Sequence, residues 1–331
     1  MGPKWARRPI TITVWLVVAV AFLVLSPLLL GLAWIADKLT RRPQLLTAVR
    51  LIVAYFTSAI AVLIACGALW VLSAGGWLMH TRRFQQLHWR LLRWFARRVT
   101  SSAVSALKID LAPDSSAGAT GALEDDAPVI VFSRHAGPGD TFLLIDQLLS
   151  RFARRPSVVL KGTWVLEPCI DLLAHRLPQA LLTSDDRDEC IAMIADVTSA
   201  LGRRGALLLF PEGGNFTPER RRSALAKLRG KGRRRAAADA EQMSNVLPPR
   251  PSGALAAIGA NPDANVIFAA HTGLGLAAYP GELWRDMPIG RTLRTHMWLV
   301  PASDVPADSD EQVAWLNDWW RRIDTWIEEQ Q

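Results

Sequence analysis

Acidic side chains are almost missing from the first third of this 331-residue chain. Residues 1–100 carry 13 Lys or Arg and a single acid, Asp37, whereas residues 101–331 carry 25 basic and 29 acidic side chains. The formal net charge of +8 is therefore the surplus of one region. Basic residues that flank apolar segments point to a membrane surface, not to nucleic acid. Charge of either sign is absent from Ile10 to Ala36, 27 residues, and from Leu51 to Met79, 29 residues. Cysteine is scarce: Cys66, Cys169 and Cys190 are too few and too scattered for a disulfide scaffold or a zinc cluster. The histidines lack metal-ligand spacing. No Gly-x-Ser-x-Gly run supplies a hydrolase nucleophile. Lysine is also rare, 6 against 32 arginines, as expected of a GC-rich coding sequence and a bacterial source.

About 20 apolar residues cross a ~30 Å hydrocarbon core, so both charge-free runs are long enough to span. A cleaved leader has an apolar region of only ~7–15 residues. Two transmembrane helices, about 10–36 and 51–79, are expected, with Pro27 a candidate kink in the first. Nine basic residues lie outside the pair and four lie in its loop, which puts both outer ends in the cytoplasm. A re-entrant hairpin is the alternative. Trp5, Trp15, Trp34, Trp77, Trp89 and Trp94 stand where interface anchors would. The expected division is a membrane anchor over 1–80, a basic amphipathic linker over 81–112 and a third domain over 113–331. In the linker, Phe84, Leu87, Leu91, Trp94 and Phe95 recur at helical spacing between arginines. That pattern suits a helix on an anionic membrane surface or one packed on the globular domain.

Beyond residue 101 the pattern is α/β. Residues 113–127 read as a loop. Strands are expected at Pro128–Ser133, Ser157–Leu160, Ala206–Phe210 and Asn265–Ala270, and helices at Thr141–Phe152, Asp188–Leu201 and about Asp310–Glu328. The fold class is a helix-covered, mostly parallel or mixed sheet.

Two segments carry candidate chemistry. In Ser133-Arg134-His135-Ala136-Gly137-Pro138-Gly139-Asp140 a strand runs through a Gly/Pro turn into a helix. His135 and Asp140 can meet across that turn, where a carboxylate would fix the imidazole tautomer and strengthen the other nitrogen as a base. The plainer reading makes Asp140 a helix N-cap. In Phe210-Pro211-Glu212-Gly213-Gly214-Asn215-Phe216-Thr217 a second strand meets a glycine turn, whose backbone N–H groups can receive an anion. There the plainer reading is a tight turn with a solvated carboxylate. A basic run follows, from Arg220, Arg221 and Arg222 to Arg235. It is a solvated face, a grip on phosphate, or a contact with anionic lipid.

Together, His135-x4-Asp140 and Phe210-Pro211-Glu212-Gly213 resemble the HxxxxD and FPEG motifs of the glycerolipid acyltransferases, typified by 1-acylglycerol-3-phosphate acyltransferases. The resemblance covers about residues 125–275. Phe216-Thr217, with Leu247-Pro248-Pro249-Arg250 and Gly253, resembles a branch with an FPEGTRFT run and a later LPR-x-x-G motif. Asn215 stands where the family has an arginine, and Gly214 where it has a threonine. The second family motif would fall near Leu181–Arg187, with Ser184 or Arg187 in its last place. The fourth would fall on Val266–Ala270.

The resemblance implies a membrane-bound O-acyltransferase of phospholipid biosynthesis with His135 as general base and Asp140 orienting it. Glu212, Gly213, Gly214, Asn215 and Arg220–Arg222 would bind substrate. The acyl donor would be acyl-coenzyme A or acyl carrier protein, as co-substrate, with no cofactor and no metal. The partners would be membrane lipid and the donor, not nucleic acid. The acceptor is expected to be 1-acylglycerol-3-phosphate or a related lysophospholipid. A glycolipid acceptor and a catalytically silent lipid-binding module are the rivals. A third is a nucleotide site at Gly273-Leu274-Gly275-Leu276-Ala277-Ala278, which lacks an acidic residue about 20 positions on. Cys169 and Cys190 read as core thiols.

Overall fold

The computed structural model describes residues 3–137, 139–232, 234–272 and 287–330. The Gly273–Ala278 loop, Pro138 and Arg233 lie outside the described residues. The chain forms two compact units, Met1–Lys108 with Leu160–Asp185, and Ile109–Val159 with Asp186–Gln331.

The first unit is helical. Helix α1 (Lys4–Thr40) and α2 (Gln44–Leu72) are each long and apolar enough to cross a membrane, and most of their apolar surface is exposed. At ~1.5 Å per residue either exceeds the ~30 Å of a hydrocarbon core. Helix α1 runs on through Pro27. Helix α2 stops at Leu72, short of the expected Met79, because Ala74, Gly75 and Gly76 all take positive φ. Asp37, the lone acid of the first hundred residues, accepts from the N–H groups of Leu45 (3.1 Å) and Leu46 (2.9 Å). It thereby satisfies two donors that the start of α2 leaves unpaired. Trp15 and Phe22 both meet Phe56 edge-on and lock the pair.

Helix α3 (Arg82–Leu107) buries His88, Trp89, Phe95 and Ala96 and packs on α2, while Arg93, Arg97 and Arg98 stay exposed. Its apolar stripe is therefore taken up inside the helical unit. Helix α6 (Pro168–Arg176), from the second stretch of this unit, packs on α1, α2 and α3. Asp171 accepts from Arg7 (2.8 Å) and Arg8 (2.7 Å), and Arg176 donates to the Cys66 carbonyl (2.8 Å). Cys169 is a buried thiol pushed well up by burial, which suits a core role.

In the second unit the Ser/Gly-rich stretch expected to be a loop holds helix α4 (Ala117–Glu124). Ser116 Oγ caps it by accepting from Ala119 N (3.2 Å). The strands are β1 (Asp110–Pro113), β2 (Val129–Ser133), β3 (Arg155–Lys161), β4 (Ala180–Leu182), β5 (Gly205–Leu209), β6 (Asn265–His271) and β7 (Thr292–Val300). Their order is β1-β7-β6-β2-β5-β3-β4. β4 and the last two residues of β3 belong to the helical unit. β6 and β7 pair antiparallel; β1–β7, β6–β2, β2–β5 and β5–β3 pair parallel. All five residues of β2 and of β5 are buried, as continuous apolar runs at a sheet centre require.

The expected helix Thr141–Phe152 is α5 (Gly139–Asp146), followed by a π turn at Gln147–Arg151. Helices α7 (Arg187–Ser199), α8 (Pro218–Gly230), α9 (Arg234–Glu241), α10 (Pro251–Ala260) and α11 (Ser309–Glu329) complete the unit. Arg154, fully buried, braces the sheet's lower end by donating to the carbonyls of Ala122, Leu123, Asp125, Ala127 and Gly205.

Candidate active site

The site stands at the carboxyl ends of three neighbouring strands, β6, β2 and β5, where ligands of open α/β sheets gather. Ser133 pairs with Ala269 and Phe132 with Leu209. Continuing that register brings His135, His271 and Glu212 to one level.

Asp140 sits in the first turn of α5, fully buried. Its side chain does not cap the helix that follows. It turns back over the preceding residues, and Oδ2 accepts from Ala136 N (2.6 Å) and Gly137 N (2.7 Å). His135 Nδ1 lies 3.2 Å from the same oxygen. The Gly/Pro turn thus closes on the carboxylate, which in turn fixes the imidazole. Burial raises the Asp140 carboxyl, but His271 and His135 beside it win and hold it well below the usual carboxylate range. The His135 ring stacks on Phe210, centroids 4.3 Å apart, and Nε2 has no hydrogen-bond partner among the described residues. A half-buried imidazole with one nitrogen anchored and the other open can take a proton from a bound hydroxyl.

Glu212, almost fully buried, joins the two motifs. Oε1 accepts from His135 N and Oε2 from Leu247 N, each at 2.9 Å. Burial pushes its carboxyl up to about 8, against the pull of Arg134 and those two N–H groups. Both oxygens being taken, Glu212 positions the His135 turn. Phe216 N closes the loop by donating to His135 O (2.7 Å).

Gly213 has φ +68°, and a Cβ there would come within 3.0–3.2 Å of the Arg250 guanidinium and Cδ. Glycine is thus needed both for its backbone and for the close approach of Arg250. Gly214 and Asn215 are half-exposed. Arg220 turns back from α8 and donates to Asn215 O (3.1 Å). Thr217 caps α8 by accepting from Arg220 N (3.1 Å). Arg221 points elsewhere, to the carbonyls of Met243 (2.6 Å) and Glu241 (2.8 Å), and Arg222 pairs with Glu219 (2.9 Å) on the surface. The three consecutive arginines therefore diverge, and Arg220 alone of them meets the turn. Arg187 reaches Ser252 Oγ at the start of α10.

Sequence reasoning passed over three participants. Arg134 is buried and donates to His271 O (2.6 Å) and Asn245 O (2.9 Å). Asp324 accepts from Ser244 N (3.1 Å) and Asn245 N (2.6 Å). His271 lies 3.3 Å from Asp140. Arg134 is adjacent to His135 in the motif, which is the signal that was available; His271 and Asp324 carry none. Among the described residues no group of three or more His, Cys, Asp or Glu is arranged to hold a metal ion.

No protein-family model and no curated protein matches the chain. Among solved structures it is similar to the 1-acyl-sn-glycerophosphate (LPA) acyltransferase PlsC from Thermotoga maritima. The TM-score is 0.56 and the identity 14%, over 86% of this chain and 95% of that one. At that identity the likeness is one of fold.

Proposed function

We propose that the chain is a membrane-anchored O-acyltransferase that moves an acyl group from a thioester donor to a lysophospholipid hydroxyl. The carrying observation is the His135–Asp140 pair, clamped by two backbone N–H groups and Glu212 at the mouth of the sheet. The acyltransferase named above, similar in fold, supports the same chemistry. His135 Nε2 takes the acceptor's hydroxyl proton as its oxygen attacks the thioester carbonyl. The new C–O ester bond forms, the C–S bond breaks, and the proton passes from His135 to the leaving thiolate. Asp140 stabilises the imidazolium between those steps. Helices α1 and α2 anchor the chain in the membrane, with the catalytic unit in the cytoplasm beside coenzyme A or acyl carrier protein donors.

The acceptor phosphate is met by Arg220 and Arg250, which flank the glycine turn, in place of the arginine that Asn215 lacks. Arg221 and Arg222 are engaged elsewhere. A charge-assisted contact is worth about 1.5–3 kcal/mol, so Arg220→Ala or Arg250→Ala should raise KM for lysophosphatidate roughly 10- to 100-fold. Arg222→Ala should leave it unchanged. The test incubates the full chain in membranes with labelled acyl-coenzyme A and a panel of lysolipids, with products read by mass spectrometry. No transfer to any lysolipid sinks the function. Transfer to glycolipid hydroxyls with no preference for phosphate sinks the acceptor.

A further inference from the structure

A second histidine faces the catalytic carboxylate. His271 ends β6, is 2% exposed, and brings Nε2 to 3.3 Å from Asp140 Oδ2. That approach lacks the alignment of a full hydrogen bond, and His271 Nδ1 and Asp140 Oδ1 have no partner among the described residues. One oxygen of Asp140 is therefore approached by two backbone N–H groups and two imidazoles, while the other receives none among the described residues. A carboxylate offers about four lone-pair sites across both oxygens, so donors crowded on one must compete.

We propose that His271 is a positioning residue that competes with His135 for Asp140 Oδ2 and so limits how firmly Asp140 holds a proton on His135. Filling space does not call for an imidazole here, because Nδ1 is buried with no partner among the described residues and an apolar side chain of similar volume would incur no such penalty. Among the described residues the charged and titratable groups around the pair are few. Arg134 holds the His271 carbonyl, and Glu212, Asp140 and Asp324 lie in its field. The inference rests on the dyad reading. In that reading His135 must both accept a proton and release it to the thiolate. A grip shared with His271 favours release.

The test is the pH dependence of carbethoxylation of His135 by diethyl pyrocarbonate, which attacks unprotonated imidazole. It is followed by peptide mass spectrometry on the full chain in micelles. Wild type is compared with His271→Leu, His271→Asn and His271→Gln. Leucine has no donor and asparagine is too short to reach Asp140, so in both the midpoint for His135 should rise by about half a pH unit or more. Glutamine places an amide nitrogen near the lost Nε2 and should restore the wild-type midpoint. If His271→Leu does not fold, His271→Asn carries the comparison. One midpoint shared by wild type and the Leu or Asn variant overturns the proposal, whatever happens to stability. Modification needs no acyl transfer, so the outcome is independent of the enzymatic reading. A midpoint that moves in a chain that transfers no acyl group would fault that reading alone.

Discussion

His135→Ala should reduce acyl transfer by about 10²- to 10⁴-fold, some 3–5 kcal/mol of barrier, while the protein still folds. The fold survives because the backbone bonds of His135 are kept, although its ring contact with Phe210 is lost. Its N–H donates to Glu212 and its carbonyl accepts from Phe216, and both remain in alanine. Asp140→Asn should also fold. Its carbonyl can occupy the Oδ2 position against Ala136 and Gly137, and its NH2 the position of Oδ1, which has no partner among the described residues. What is lost is the charge that supports the imidazolium, so transfer should fall by a comparable factor. Both variants are to be assayed with labelled acyl-coenzyme A after their folding has been checked by resistance to protease. Wild-type turnover in folded His135→Ala removes the base from the mechanism.

Arg134→Met should cost about 3–5 kcal/mol, the largest single loss of stability expected around the site. It strands the buried carbonyl of His271 and takes one donor from the carbonyl of Asn245. It also removes the cation that burial disfavours but that Glu212, Asp140 and Asp324 sustain. A loss of that size is a large share of the 5–15 kcal/mol of a typical domain. The deficit should depend on pH, and the sign follows from Glu212. Its carboxyl keeps its proton up to about 8 when folded, against an ordinary value of 4.5. Its stabilising contribution is therefore complete below 4.5 and is lost as pH rises through 8. Without Arg134 the ionised form is harder still to bury, so the gap between variant and wild type should widen from pH 5 to pH 9. Thermal midpoints in micelles at both values test this. Equal midpoints for the two proteins at pH 9 would show that Arg134 is not the brace.

The central strands were legible because β2, β5 and β6 are unbroken apolar runs that end in polar or glycine turns. His135 and Glu212 were legible for the same reason: each stands where such a run meets a turn. His271 was not, since it only ends a strand. Its importance depends on β6 lying next to β2, an adjacency that no local pattern encodes. β7 alternates buried and exposed residues along part of Thr292–Val300, a weaker signal than a solid run. Helix α4 hides because Gly118, Gly121 and Thr120 dilute its helix formers, and its start is marked by Ser116. The fates of Arg220, Arg221 and Arg222 could not be separated by sequence. Consecutive helical positions point about 100° apart, and what each meets is set by the loop around Met243 and by Asn215.

Residues 160–185 make the helical unit discontinuous in sequence, so it is not a detachable tail. Cutting the chain after Lys108 would remove α1, α2 and α3 but keep α6, their packing partner. Asp171 would lose Arg7 and Arg8, Arg176 would lose the Cys66 carbonyl, and the apolar side of α6 would be stripped of its cover. A chain shortened to obtain a water-soluble form would thus carry a sticky, charge-frustrated remnant in its middle. Solubilisation would need surface redesign of α6 as well as removal of the first hundred residues. Evolutionary exchange of the first three helices for others would face the same obstacle, because the replacement would have to fit a helix encoded some sixty residues further along, between strands of the second unit.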